Sequence, residues 1–153
     1  MTATKRDLTC GKAPNAKRKG TYLLFLVFRR PCSVTAGALG MLDIPPGEYC
    51  YVGSAMNGLD ERLERHLSRE KRIRWHIDHL TMSADEMYAF VSLPPVPECA
   101  LSETAERCGC RPVFKGFGCS DCRCGTHLFL TDEASKQRLL RETGVTSFTK
   151  REV

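Results

Sequence analysis

Three side chains that can bind a phosphate and move a proton lie close together near the middle of the chain. Tyr51 lies in a predicted strand, and a glycine turn separates it from a predicted helix that carries Arg62 and His66. Arg62 and His66 are four residues apart, so they lie one helical turn apart on one face. A guanidinium binds phosphate oxygens in pairs, and an imidazole transfers protons near neutral pH. The spacing predicts one polar pocket, although each residue taken singly is more often a packing or solvated side chain.

A second group of chemically competent residues is the cysteine-rich segment 108–127. Cys119, Cys122, Cys124 and His127 form a C-x-x-C-x-C-x-x-H pattern, which offers four soft ligands for zinc, and Cys108 or Cys110 could replace some of them. The alternatives are reduced thiols packed as small apolar residues, or a disulfide within the loop.

The same segment interleaves aromatic and basic residues, namely Phe114, Lys115, Phe117 and Arg123. Aromatic rings that stack on bases, beside cations that contact phosphates, are typical of proteins that bind single-stranded nucleic acid. Two phenylalanines that pack against a core would give the same pattern, so both interpretations stay open.

Apolar periodicity and turn residues predict the elements that position these groups. Strands are expected at 21–28, around Val34, and at 48–52, 87–93 and 126–130. Helices are expected after Asn57 as N-cap, and at 75–80, 97–107 and 131–142. In the 48–52 strand, Tyr49 and Tyr51 share one face and Cys50 points to the other. These elements predict a mixed α/β (α+β) fold with a small, mostly antiparallel sheet flanked by helices.

Length and charge limit the class of protein. The chain has 153 residues and a net charge of +5, which fits one globular domain with a mild preference for anionic partners such as nucleic acid. We expect a flexible basic tail at 1–19 and one domain at 20–153 that includes the cysteine-rich loop. The sequence has no apolar stretch as long as a membrane span, and its polar, basic N-terminus lacks the apolar core of a signal peptide. We therefore expect a cytoplasmic protein that does not bind membranes.

Several short phrases together resemble a known family. G-T-Y at 20–22, Y-V-G at 51–53, the helical R-x-x-x-H at 62–66 and Glu98 occur in the order of the GIY-YIG nucleases. A closer resemblance is to the small stand-alone Uri-type (DUF123-like) endonucleases. It rests on the phrases Y-V-G-S-A, R-H-L, W-H-I-D-H-L, E-C-A-L and S-D-C-R-C-x-x-H-L-F, and it spans roughly residues 20–130.

This resemblance implies a GIY-YIG-like fold and a metal-dependent endonuclease that hydrolyses DNA phosphodiesters, with single-stranded or structured DNA as candidate substrates and RNA as another. Tyr22 would be the general base, assisted by Tyr51, and Arg62 would hold the phosphate. Glu98 would bind Mg²⁺ or Mn²⁺, while His66 and His76 would contact phosphate or relay protons. The basic residues expected to hold the nucleic-acid backbone are Lys71, Arg72, Arg74, Lys115 and Arg123.

The chain departs from the family in the long stretch between the G-T-Y and Y-V-G phrases, which implies a larger hairpin, and in one missing residue. Many members carry an asparagine after the catalytic glutamate, but no asparagine follows Asn57 here, and His127 and Ser120 are candidate replacements. Two other functions therefore remain: a nucleic-acid-binding module that keeps the fold without the chemistry, and a zinc-centred interaction protein.

Overall fold

The computed structural model describes residues 18–93, 95–118 and 124–148. The strands within these ranges are β1 (Gly20–Phe28), β2 (Cys32–Thr35), β3 (Met41–Ile44), β4 (Gly47–Ala55), β5 (Glu86–Ser92), β6 (Arg111–Pro112), β7 (Leu128–Thr131) and β8 (Thr146–Ser147). The α-helices are α1 (Leu59–Leu67), α2 (His76–Thr81), α3 (Glu98–Arg107) and α4 (Glu133–Thr143), and a 3₁₀ helix spans Gly37–Leu39. No helix within the described ranges is long and apolar enough to span a bilayer.

Six strands form one sheet in the order β6–β7–β4–β1–β5–β8, and every neighbouring pair is antiparallel. The continuous apolar run of β1 lies near the centre of the sheet, as its burial on both faces predicts. β2 and β3 pair with each other as a separate hairpin. The α+β prediction, with an antiparallel sheet flanked by helices, is confirmed.

The two faces of the sheet build two separate cores. Tyr22, Leu24 and Leu26 of β1 point to one side, where they pack with residues of α1, α2 and the β2–β3 hairpin. Leu23 and Phe25 point to the other side and pack with residues of α3 and α4. Alternation along the strand therefore sorts the helices into two pairs, one on each face.

β4 follows the same rule. Tyr49 and Tyr51 belong to the α1–α2 side, while Cys50 belongs to the α3–α4 side, as predicted. The strand is longer than expected and continues through Ser54 to Ala55. That extension places Ser54 and Ala55 at the end of the strand, shortly before α1 begins.

The start of α1 differs from the prediction. Gly58, rather than Asn57, is the N-cap, and its φ of 102° lies in the left-handed region that favours glycine. The first helical N–H, from Leu59, donates to the carbonyl of Arg18 at 2.9 Å, so a backbone group from before β1 replaces a capping side chain. α4 ends as predicted at Gly144, which has a φ of 64°.

Two short strands, β6 and β8, were not predicted. Arg111–Pro112 and Thr146–Ser147 each pair over two residues at the edges of the sheet. Two residues are too few to show an alternating pattern, so pairing with the existing sheet edge defines them.

Candidate functional site

The tyrosine of the G-T-Y phrase lies against the glycine of the Y-V-G phrase. The antiparallel register places Tyr22 opposite Gly53. A Cβ atom on Gly53 would lie 2.4 Å from both the hydroxyl and Cζ of Tyr22, much closer than real contacts allow. Glycine is required there because the phenol ring of Tyr22 lies over the backbone of β4.

Tyr22 and His66 form a buried hydrogen-bonded pair. The Tyr22 hydroxyl lies 2.8 Å from Nε2 of His66, and both residues are about 1% exposed. Loss of solvation, together with the positive charge of Lys71, lowers the pKa of His66 to about 3. His66 is therefore neutral at physiological pH, and its Nδ1 atom has no hydrogen-bond partner among the described residues.

The pKa of Tyr22 is raised well above its ordinary value. Loss of solvation is the main cause and Tyr51 adds to it, whereas the nearby guanidinium of Arg62 acts in the opposite direction. Tyr22 is thus a neutral phenol in this state. Its proton can pass to Nε2 of His66 only if something stabilises the resulting imidazolium.

Arg62 is held between β4 and an aromatic ring. Its Nη1 donates to the carbonyl oxygen of Ser54 at 3.0 Å, and its Cζ lies 4.7 Å from the ring centroid of Trp75. The guanidinium of Arg65 lies 4.6 Å from the same ring centroid and forms two hydrogen bonds with the Asp78 carboxylate. Arg65 is thereby neutralised, while the charge of Arg62 stays available to a bound anion.

These side chains surround one cavity of about 330 Å³. It is lined by Tyr22, Tyr51, Arg62, His66, Arg74, Trp75, His76, Ile77, Gly116 and Gly118. Five of the six predicted catalytic residues are therefore brought together here. None of the ten lining residues is acidic, so the cavity suits a small anion or an anionic group of a larger ligand.

The aromatic residues near this cavity pack mostly against one another. Phe117 is fully buried, and its ring lies 6.0 Å from that of Tyr51 and 5.7 Å from that of His76. Phe114 is half-buried against the same core. The interpretation that Phe117 stacks on bases is wrong, because its faces are covered by protein; the alternative of core packing holds.

Glu98, the sixth predicted catalytic residue, lies beside the cavity rather than in its wall. It begins α3 on the other face of the sheet, and its Oε2 accepts a hydrogen bond from the Ser54 hydroxyl at 2.8 Å. Ser54 therefore lies between Arg62 and Glu98: its carbonyl accepts a hydrogen bond from Arg62, and its hydroxyl donates one to Glu98.

The carboxylate of Glu98 also lies 3.0 Å from Nδ1 of His127. Partial burial raises the pKa of Glu98, but hydrogen bonds from His127 and Ser54 outweigh that effect, and the net pKa is below its ordinary value. Glu98 is ionised at neutral pH. Of the two candidate replacements for the missing asparagine, His127 contacts Glu98, and Ser120 lies outside the described residues.

Comparison with known proteins adds a family to this geometry. A family model described as a domain of unknown function, DUF123, matches residues 21–148. The chain belongs to the DUF123 family. No curated protein and no solved structure matches it.

The basic residues predicted to hold nucleic acid have different positions in this DUF123 domain. Lys71 donates to the backbone carbonyls of Arg65 and His66 at the end of α1, and burial lowers its pKa to about 8. Arg74 reaches the cavity, whereas Arg72 and Lys115 are exposed. Arg123 lies outside the described residues.

The predicted zinc ligands of the DUF123 domain are placed in part. Cys119 and Cys122 lie outside the described residues. Cys108 and Cys110 are buried in the α3–α4 core, where burial raises the pKa of each thiol. Neither belongs to the group of potential ligands around His127. Cys124 and His127 are close together, and the residue that joins them is Cys99 of α3.

Sequence reasoning gave no role to three residues of the DUF123 site. Ser54, Trp75 and Cys99 occur within the phrases Y-V-G-S-A, W-H-I-D-H-L and E-C-A-L, which carry the family resemblance. Each directly follows or precedes a residue predicted to be catalytic or part of a motif. The contacts of these three residues depend on how the helices pack against the sheet. In the sequence, the signal that could have identified them is therefore their position next to a predicted residue.

Proposed function

We propose that this protein is a GIY-YIG-type, Uri-like endonuclease that hydrolyses DNA phosphodiesters. The observation that supports the proposal is the cavity in which Tyr22, Tyr51, Arg62, His66 and His76 meet. These residues come from four elements, β1, β4, α1 and α2, and all carry groups suited to phosphoryl chemistry. RNA offers the same phosphodiester, so it belongs among the substrates to be tested.

The phosphate would bind to Arg62, whose guanidinium is oriented by the Ser54 carbonyl and the Trp75 ring. Arg74 adds a second positive charge at the cavity wall. A bidentate guanidinium stabilises the charge that builds up on phosphoryl oxygens in the transition state. Because the cavity wall carries no carboxylate, this attraction is not offset by repulsion there.

The proton of the attacking water would pass to the Tyr22 oxygen while the Tyr22 proton passes to Nε2 of His66. The 2.8 Å hydrogen bond provides the path. The nearby cations that lower the pKa of His66 include Lys71 and Arg62. A bound phosphate counters their field, so substrate binding raises the basicity of His66 at the step that needs it.

Glu98 fits a role as ligand of Mg²⁺ or Mn²⁺. It is an ionised, half-buried carboxylate, and these cations commonly take one or two carboxylates and complete their coordination with water and substrate phosphate. Such an ion, when bound, would neutralise charge on the phosphate and the departing oxygen. Coordination would replace the hydrogen bond from Ser54 or the contact with His127.

A binding module without catalysis is the second candidate, and the burial of Tyr22 favours it. A phenol with a strongly raised pKa is a poor base, and Glu98 does not line the cavity. Such a module would bind nucleic acid through Arg62 and Arg74 and leave it intact.

The test uses labelled single- and double-stranded DNA and RNA, with Mg²⁺, Mn²⁺ or EDTA. We expect metal-dependent cutting that falls about 100-fold or more in Tyr22→Phe and in Glu98→Gln. Tyr49→Phe is the matched control, because Tyr49 is equally buried on the same face but its hydroxyl donates to the Pro45 carbonyl away from the cavity.

Full cutting by Tyr22→Phe would overturn the assignment of Tyr22. Tight binding of nucleic acid without cutting, with every metal, would instead establish the binding module.

A further inference from the structure

A second chemical cluster lies behind Glu98, on the α3–α4 side of the sheet. One ligand atom from each of Cys99, Cys124 and His127 lies within 4.8 Å of the others. Cys99 is in the first turn of α3, and the other two residues lie just before β7. The two cysteines are half-buried and His127 is about 1% exposed, so the cluster lies partly away from solvent.

We propose that Cys99, Cys124 and His127 bind a zinc ion. Two thiolates and an imidazole are the donor set that zinc prefers, and they suit Mg²⁺ or Ca²⁺ poorly. A tetrahedral zinc with Zn–S bonds of about 2.3 Å holds its sulfur ligands roughly 3.8 Å apart. The observed 4.8 Å limit is close enough for small side-chain rotations to complete the site.

The contact between His127 and Glu98 supports this assignment. Nδ1 of His127 lies 3.0 Å from the Glu98 carboxylate. In zinc proteins a histidine ligand commonly donates its second N–H to a carboxylate, which fixes the tautomer and makes the other nitrogen a better ligand. Since Nδ1 faces Glu98, Nε2 is the nitrogen assigned to the metal. The zinc would then orient Glu98 through His127.

Two of the three proposed ligands, Cys99 and Cys124, also line a second cavity. This cavity has a volume of about 560 Å³. Ser102 also lines it, is about 4% exposed, and has a hydroxyl without a hydrogen-bond partner among the described residues. A zinc-bound water in this cavity is a candidate partner for that hydroxyl, whereas Glu103 and Glu106 in the same wall disfavour an anion. Three protein ligands with one open position is the arrangement of an accessible zinc site.

This ligand set differs from the C-x-x-C-x-C-x-x-H pattern, because it replaces Cys119 and Cys122 with a cysteine from a helix about 25 residues earlier. A zinc bound in this way would link α3 to the segment before β7 and so stabilise the fold. Zinc binding is independent of whether the protein cuts DNA, so either proposal can fail without the other.

The test measures metal in the full-length protein purified without chelators. We expect one zinc per chain in the wild type and its loss in Cys99→Ser and Cys124→Ser. Cys32→Ser is the control, because Cys32 is also half-buried but lies in the β2–β3 hairpin. Circular dichroism checks that each variant folds.

Cobalt substitution gives a second measurement that needs no variant. The thiolate-to-cobalt absorption grows with the number of thiolates, and we expect the intensity of two. Absence of zinc from the wild type would overturn the proposal. So would an intensity of three or four thiolates, or full zinc in Cys99→Ser together with loss in Cys119→Ser or Cys122→Ser.

Discussion

The two faces of the sheet carry two different groups of reactive side chains, and both groups lie close to Ser54 in β4. On the α1–α2 side, phenols, imidazoles and a guanidinium surround a cavity that suits phosphate. On the α3–α4 side, two thiols and an imidazole meet behind Glu98. Ser54 lies between them, because its backbone contacts Arg62 while its side chain contacts Glu98. One residue of β4 thus couples two groups that strand alternation keeps apart.

The difference shows which kinds of site a single sequence reveals. The first group comes from β1, β4, α1 and α2, and within each element period-2 or period-3.6 patterns set which side chains share a face. The second group needs α3 to pack beside the start of β7, and no local pattern encodes that approach. Proximity that follows from local geometry is therefore predictable, whereas proximity that follows from helix packing is not.

Gly53→Ala should have the largest effect on the α1–α2 side while it leaves the α3–α4 side unchanged. The added methyl group would lie 2.4 Å from the Tyr22 hydroxyl, so Tyr22 must move away from His66. We expect cutting to fall about 100-fold or more, as in Tyr22→Phe, and stability to fall by about 1–3 kcal/mol. Nuclease assays and urea unfolding measure both effects.

Gly125→Ala is the matched control for Gly53→Ala, because a methyl group there would meet nothing within 4 Å. Zinc content should not change in Gly53→Ala, since the cluster lies on the other face. If Gly53→Ala loses its zinc while it stays folded, the two faces are not independent, and the comparison fails.

The next effect is the pH dependence that His66 gives to stability. Its pKa is about 3 in the folded protein, against an ordinary value of 6.5. Between these values the unfolded chain binds a proton that the folded protein does not, so His66 lowers stability progressively as the pH falls from 6.5 to about 3. The wild type should lose several kcal/mol through this group.

His66→Gln removes this contribution and keeps a polar side chain near Tyr22. Urea unfolding of both proteins at a series of pH values gives the comparison, in which the contributions of the other titratable groups cancel. Parallel pH profiles for the two proteins would show that His66 is not buried in its neutral form.

Much of the fold and part of the geometry of the candidate site follow from the sequence. The buried run of β1, the shared face of Tyr49 and Tyr51, and the stop at Gly144 are local consequences of alternation and backbone freedom. The position of Glu98 behind Ser54 is not local, because it depends on which face α3 covers. Cys99 was not predicted for the same reason, although it directly follows Glu98, which was predicted to be catalytic.

The smallest expected effect concerns Trp75, whose ring orients Arg62 but is itself 37% exposed. Trp75→Ala should weaken DNA binding about 2- to 5-fold, because an exposed cation–π contact contributes roughly 0.5–1 kcal/mol. Trp75→Phe keeps a ring and should keep most of the affinity. Fluorescence anisotropy at several salt concentrations measures this.

The size of the affinity loss separates two roles of Trp75, and the salt dependence checks that the phosphate contacts are retained in both cases. If Trp75 only positions Arg62, Trp75→Ala leaves the number of phosphate contacts unchanged, and the slope of log affinity against log salt stays that of the wild type. Arg62→Gln should reduce that slope by about 1. A loss of tenfold or more in Trp75→Ala, with an unchanged slope, would mean that the indole stacks on a base, since stacking contributes about 1–3 kcal/mol without releasing counterions. The α1–α2 side would then recognise bases as well as phosphate. The cluster on the α3–α4 side, which consists of Cys99, Cys124 and His127 among the described residues, offers no exposed aromatic ring for such stacking.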